Sequence, residues 1–387
     1  MNGKLLFIIY VFSSLLISCI DPFDVKVQQP NADELIVVDA VLNQESAVHS
    51  IILNRPSSIN QNSGYKRVSK AIVEIIDSNN ACFEFTETSN GRYSIDSSMF
   101  KPILGVQYSL KIELPNGLVY KSEEEELKEV EPIDSVWVLP EKTSFLAGSN
   151  VTEGDVINIY TNITTKDESI FNQYEYEGTF GFESIYQGSE VCDEFGPILH
   201  SAREELVCFR SEKVDLPLNI LSTDNLKDDN ILTQNILSIL PDRRFFIGYS
   251  LLIKKKRLSE NYFNYLDEIK TQNEVNGSLF DPPPTPIIGN ISNQLDDNVK
   301  ALGFFTLISE TNKRIFISKE ILRTEINRFS FENCSDNFEE FFNPFDPDAI
   351  ILEQNIRRPD PICCDCRLYP GATDQIPEYF PPLNQDN

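Results

Sequence analysis

The sequence predicts a mainly β protein built as two strand-rich regions in series. Three observations carry this. Val106, Tyr108, Leu110 and Ile112 alternate strictly with Gln107, Ser109, Lys111 and Glu113, the period-2 pattern of a strand with one buried face. Pro115-Asn116-Gly117 follows at once, and Asn-Gly accepts the positive φ of a tight hairpin turn. The best helical stripe, Tyr262, Phe263, Leu266 and Ile269, is short and lies far downstream.

Residues 1–18 read as an export signal rather than structure. Lys4 precedes 13 residues, Leu5 to Ile17, that are apolar apart from small hydroxyl side chains. A membrane-spanning helix needs about 20 apolar residues, and this run stops at Asp21-Pro22. Residues 19–33 form a polar tether ending in Gln28-Gln29-Pro30-Asn31.

The first β region covers 34–130. Leu35–Leu42 and His49–Leu53 are short β-branched runs; Ala71, Val73 and Ile75 share one face, and Phe83 and Phe85 alternate with Glu84 and Thr86. Leu118-Val119-Tyr120 returns from the Asn-Gly turn. Short strands at this spacing indicate a β-sandwich of about 100 residues. Glu123 to Glu126, with Glu129 and Glu131, mark the boundary. Contiguous glutamates read as a solvated face rather than a calcium site.

The second β region covers 131–330. Val136, Val138, Val156–Tyr160, Tyr174–Glu177 and Phe245–Ile253 read as strands. One helix is inserted near 259–275, with Ser259 as its cap and Asn276-Gly277 as its stop. Asp281–Pro286 is extended polyproline-like chain. Leu302–Ile308 and Arg314–Ile317 are expected to form a hairpin around Thr311-Asn312. Residues 331–387, rich in Cys, Pro and Phe, read as a loop-like tail in which Phe338, Phe341, Phe342 and Phe345 either form an exposed binding patch or, the favoured reading, plug onto a core.

Charge narrows the function. With 33 basic and 60 acidic side chains the net charge is -27, which repels a phosphate backbone and excludes general nucleic-acid binding. Only two histidines, His49 and His200, and one tryptophan, Trp137, occur. There is no G-x-S-x-G, phosphate loop, H-E-x-x-H or dinucleotide fingerprint. The reading is a non-enzyme without catalytic residues, cofactor or metal. Lys254-Lys255-Lys256-Arg257 is the one basic run. It is either a docking patch for an acidic partner or, the favoured reading, a solvated strand end leading into the helix.

Eight cysteines occur, and export places them in an oxidising compartment. Cys82, beside Phe83, reads as a free, buried thiol. Cys192 and Cys208 can staple one loop, and Cys334 can join the Cys363-Cys364-Asp365-Cys366 cluster, so Cys192, Cys208, Cys334, Cys363 and Cys366 are the candidate disulfide residues. Spacing leaves their connectivity open. Adjacent cysteines do not match a zinc knuckle.

Leu16-Ile17-Ser18-Cys19 resembles the lipobox of bacterial lipoproteins, which implies acylation of Cys19. Each buried CH₂ of such a chain contributes roughly 0.8 kcal/mol. Asp21 and Asp24 resemble the signals that carry Bacteroidota lipoproteins to the cell surface. Further along come Leu35–Asp39, Ala71–Ile75 with Gly91-Arg92-Tyr93 and Gly105–Leu110, and Ile133–Val136. Leu258-Ser259-Glu260, Phe280–Pro283, Gly289-Asn290-Ile291, Leu302–Phe305 and Cys363–Arg367 complete the order. Taken together the chain resembles the Bacteroidota lipoproteins grouped as domain of unknown function 4249, across nearly the whole mature chain. The first region is also similar to transthyretin or carboxypeptidase-regulatory sandwiches, and the second is expected to be Ig/fibronectin-like. The resemblance implies a lipid-anchored outer-membrane protein, displayed at the cell surface, that partners a TonB-dependent receptor in nutrient capture. It transfers no catalytic residue. The alternative is a stand-alone surface adhesin or glycan-binding module, which would need exposed aromatic side chains.

Overall fold

The computed structural model describes residues 35–56, 66–147, 150–164, 169–184, 206–224, 231–274, 286–295, 299–322 and 361–382. The expected signal, the tether, Cys19, Cys192, Cys334, His200 and the four tail phenylalanines lie outside them.

The chain is mainly β, with one helix of any length among the described residues. In order come β1 (Val37–Asn43), β2 (Val48–Arg55), β3 (Lys66–Arg67), β4 (Ile72–Asp77), β5 (Cys82–Ser89), β6 (Arg92–Asp96), β7 (Gln107–Glu113), β8 (Val119–Ser122) and β9 (Glu125–Glu126). Then follow β10 (Val136–Ala147), β11 (Asn150–Thr164), β12 (Phe171–Phe182), β13 (Cys208–Lys213), β14 (Asn219–Ser222), β15 (Ile231–Ile239) and β16 (Tyr249–Arg257). The helix α1 (Glu260–Glu274), β17 (Ile288–Asn293), β18 (Lys300–Ile317) and β19 (Ala372–Thr373) complete the order.

The first sheet runs β1-β2-β6-β5-β4-β7-β8-β17-β18 and closes, because β18 also pairs with β1. The result is barrel-like. The alternation seen in the sequence fills its interior: Tyr108, Leu110 and Ile112 are buried with Val73, Ile75, Tyr93 and Tyr120. Each fully buried side chain of this size contributes roughly 1.5–3 kcal/mol. The turn at 114–118 forms as expected, with Leu114 N donating to Leu118 O at 2.8 Å.

Strand pairing crosses the boundary expected near residue 130. The sheet begun by residues 37–122 is completed by β17 and β18. Gly303 makes that closure geometrically feasible. It has φ +96°, and a Cβ there would lie 1.9 Å from Val38 O. Its own carbonyl blocks a Cβ at Gly289, at 1.5 Å. Two glycines thus let three strands approach at a seam where only backbone fits.

β18 is the hinge piece of the architecture. The hairpin expected around Thr311-Asn312 does not form; residues 300–317 are one strand. Its first half closes the barrel against β1, and its second half pairs with β16, Ser309 opposite Arg257 and Ile317 opposite Tyr249. Thr311 and Asn312 are polar because they face Lys255 and Lys254 across that ladder, not because the chain turns there. The second sheet continues β18-β16-β12-β13-β19, with β14 on β12.

The strand expected at 245–253 begins later, at Tyr249, after a 3₁₀ turn at Arg243–Phe245 capped by Asp242. It runs on through the basic cluster. The helix falls where expected: Tyr262 N bonds Ser259 Oγ at 3.2 Å, and Tyr262 and Leu266 are buried against Phe304 and Ile308. Long strands β10, β11 and β15 form a separate three-stranded sheet.

Candidate functional site

The basic run is absorbed into the second sheet. Successive residues of β16 point to opposite faces. On one face Lys254 pairs with Glu177 at 3.8 Å and Lys256 with Glu175. On the other, Lys255 Nζ donates to Glu131 O at 3.1 Å and Arg257 Nη2 to Ser169 O at 3.1 Å. Lys255 is buried, which pushes its pKa down, while Glu131 opposes that shift. The run does end a strand that leads into the helix, as expected, but it is paired rather than solvated. The cations are ladder partners and carbonyl caps inside the fold.

The segment they cap is the glutamate-rich stretch. Lys313 Nζ donates to Ile133 O at 3.0 Å and Asp134 O at 2.6 Å, and Ser309 Oγ to Lys128 O at 2.6 Å. The stretch is strapped to the second sheet. Glu123, Glu124 and Glu129 are solvated as expected, but Glu125 is 2% exposed. It accepts from Thr306 Oγ1 at 2.9 Å. Burial pushes its pKa up, and hydrogen bonds from Ser259, Thr306 and Asn261 at the start of α1 pull it back.

Cys208 bonds Cys366, so the loop staple expected between Cys192 and Cys208 is replaced by a link from β13 to the tail. Cys363 and Cys364 are disulfide-bonded as well. The tail between 361 and 382 covers the sheet around this link. Tyr369 meets Phe182 edge-on and Phe380 packs on Phe209 and Phe316. Cys82 is free, as expected, but exposed rather than buried. It opens β5 on the outer face, and its Sγ donates to Glu74 Oε1 at 3.3 Å. Partial desolvation and the Glu74 carboxylate raise its pKa, the opposite of what a reactive thiol needs.

His49 sits inside the barrel, edge-on to Phe100 at 5.5 Å. Burial lowers its pKa and outweighs the Phe100 backbone beside it. An apolar interior around a neutral imidazole is core packing, not acid–base machinery. A cleft of about 240 Å³ opens where β13 gives way to β14 along β12, lined by Tyr174, Tyr176, Glu177, Lys213, Leu216 and Lys254. It is smaller than typical small-molecule sites, and its Lys254 and Glu177 are already paired.

Among the described residues two further surfaces stand out. One is apolar. Val48, Met99, Ile103 and Leu104 are exposed, Met99 to 71% and Ile103 to 62%. They cluster because Ser97 N bonds Ala47 O at 2.9 Å and Gln44 Nε2 bonds Pro102 O at 3.2 Å, drawing the 97–106 loop against the β1–β2 turn.

The other surface is the outer face of the three-stranded sheet. Ile157, Ile159 and Ile163 point inward, leaving Asn158, Tyr160 and Asn162 outward. Trp137 lies directly across from Tyr160, and the rings are near-parallel, 17° apart with centroids 6.0 Å apart. Both are half-buried. Beside them Asn158 Nδ2 donates to Glu141 Oε2 at 2.7 Å, Ser238 Oγ to Asn158 Oδ1 at 2.7 Å, and Asn235 Nδ2 to Asn158 Oδ1 at 3.3 Å. An aromatic slab next to a connected row of carboxylate, amide and hydroxyl can hold a ligand that is flat and apolar on one side and polar at its rim. Sequence reading missed these residues. Trp137 between the inward-facing Val136 and Val138 was the available signal, but its partner across the sheet depends on a register that the sequence does not show.

A family model described as "Domain of unknown function (DUF4249)" matches residues 20–314. The chain belongs to this family. The DUF4249 match takes in the closed sheet, the strapped stretch, the aromatic slab and β18 as far as Arg314. It stops short of Cys363–Arg367, so the tail partner of Cys208 lies beyond the matched residues. No curated protein matches the chain.

Proposed function

We propose that this DUF4249 protein is a non-enzymatic accessory protein of the Bacteroidota outer membrane. Acyl chains on Cys19 anchor it, the cell surface displays it, and it works beside a TonB-dependent receptor in nutrient capture. We read its first region as a transthyretin-like sandwich closed into a ring, and its second as an Ig/fibronectin-like body.

The observation that supports this reading is the parallel register of β1 and β18. Val37 pairs with Leu302 and Asn43 with Ile308, after which β18 runs on to Ile317 in the second sheet. The anchor therefore joins the fold at the start of β1, and the second sheet extends from the far end. The apolar cluster of Val48 and Met99 sits at that far end too, beside the turn that follows β1. Such a patch on an acidic surface marks a protein contact, and its occupant here is the outer-membrane receptor. The 16 residues from 19 to 34 reach at most roughly 58 Å, enough for the body to turn that patch toward a neighbour in the same membrane.

The test is affinity purification of the full chain from mildly solubilised membranes, with mass spectrometry of the processed N-terminus. We expect an acylated Cys19 and a co-purifying receptor that is lost in Met99→Glu/Ile103→Glu. An unmodified N-terminus, or a chain that elutes alone, overturns the reading.

A further inference from the structure

We propose that the outer face of the β10–β11–β15 sheet binds a neutral saccharide, stacked on Trp137 and Tyr160 and read at its hydroxyls by Glu141, Asn158 and Asn235. This deepens the nutrient-capture reading above and rests on it for its setting.

A pyranose ring presents a patch of C–H groups on its face and hydroxyls around its rim. The face packs on aromatic carbon, and the rim needs both donors and acceptors. The sheet offers both side by side. Glu141 contributes acceptors only; Asn158, whose oxygen already accepts from Ser238 and Asn235, keeps one N–H to donate, and Asn235, whose two N–H groups already go to Asn158 and Ser238, keeps one lone pair to accept. Their mutual hydrogen bonds hold them in place before any ligand arrives, and Tyr160 Oη reaches Glu141 Oε1 at 3.5 Å. Asn158, at the centre of the row, is 6% exposed, so its orientation is fixed by the fold. Groups ordered in advance lose less entropy on binding.

A β-bulge builds the row. Ile159 pairs with Leu237 and Tyr160 with Asn235, leaving Ile236 as an extra residue. In a regular strand residues three apart face opposite ways. Here Ile236 and Leu237 are both buried, while Asn235 and Ser238 both emerge on the outer face. The bulge is pinned from within: Tyr176 Oη donates to Ile236 O at 2.5 Å, Asn219 Nδ2 to the same carbonyl at 2.6 Å, and Leu237 N to Asn235 Oδ1 at 3.1 Å. Bulges re-aim side chains at working surfaces, and this one places Asn235 beside the slab.

Chemistry selects the ligand class. The Glu141 carboxylate and a net charge of -27 oppose anionic polymers. Strand addition along β10 is opposed by Pro140, which lacks an N–H. A neutral sugar meets neither obstacle.

Trp137 is the one tryptophan of the chain, so its emission reports on this face alone. The full chain in detergent is titrated with cellohexaose, xylohexaose, laminarihexaose and maltohexaose. At least one is expected to give a saturable change, with Tyr160→Ala and Asn235→Ala each weakening binding roughly tenfold. Tyr160→Phe, which keeps the ring, should retain most of the affinity, and Glu84→Gln on the distant barrel should change nothing. No saturable change with any of the four up to about 10 mM overturns the proposal, as does unchanged affinity in Tyr160→Ala. Receptor capture is scored in parallel. If capture persists without sugar binding, only the saccharide site fails; if sugar binds without capture, only the receptor reading fails.

Discussion

The Asn290 carboxamide pairs with the Phe305 backbone as a neighbouring strand would: Nδ2 donates to Phe305 O at 2.9 Å, and Oδ1 accepts from Phe305 N at 3.0 Å. It does so where the β17–β18 register breaks, between Ile288 and Ser292. One side chain therefore bridges a gap in the ladder at a fully buried residue. Asn290→Ala leaves a buried N–H and a buried C=O unpaired and is expected to cost about 2–4 kcal/mol, measured by urea unfolding. An unchanged midpoint would show that the seam is satisfied another way.

Gly303→Ala tests the same seam through sterics. The added methyl meets Val38 O at 1.9 Å, in a backbone conformation that L side chains rarely adopt. The expected loss exceeds roughly 3 kcal/mol, and hydrogen exchange should speed up in β1 and β18 together. Protection lost in β16 and β12 alone would contradict the proposed closure.

His49 gives a pH signature. Burial depresses its folded pKa below the ordinary value of about 6.5. The unfolded chain therefore takes up the proton first as pH falls. This contribution to stability is complete above about pH 6.5 and is lost as pH drops toward the lower folded value. His49→Leu removes the titration, so its Tm should fall less than the parent's between about pH 7.5 and 5. Parallel Tm profiles would refute the assignment.

Cys208–Cys366 spans 158 residues. Cross-linking a long loop stabilises by roughly 2–5 kcal/mol. Cys208→Ser/Cys366→Ser should lower Tm and expose the 361–382 segment to proteolysis, with the first sheet untouched. Equal protease resistance would show that the disulfides of Cys363 and Cys364 and the aromatic contacts of Tyr369 and Phe380 hold the tail without this link.

Lys313→Met removes the donor shared by the Ile133 and Asp134 carbonyls. A loss of about 1–3 kcal/mol is expected, with faster exchange confined to residues 128–136. Wild-type exchange there would mean the strap is held from elsewhere.

Much was legible because it is local. Alternation at 106–113, the Asn-Gly turn and the Ser259-capped stripe set β7, β8 and α1 within a few residues of where they lie, since strand and helix periods are written into adjacent side chains. Polar residues misled where they had partners far away in sequence. Thr311-Asn312 read as a turn and the lysine run as a solvated end, yet Thr311-Asn312 lie within β18, laddered against the last residues of β16, where Lys254 and Lys256 pair with Glu177 and Glu175 of β12.

The sequence by itself determined strand content, the helix and the acidic character, because composition and periodicity are properties of neighbouring residues, and the order of its short motifs carried the resemblance to the family. Only the tertiary structure decided that residues 288–308 close the first sheet, that Cys208 joins Cys366, and that Trp137 meets Tyr160 beside Asn158. Each of these is a pairing between distant segments. Register, a bulge at Ile236 and two glycines at a crowded seam fix them, and no local pattern encodes which strand lies next to which.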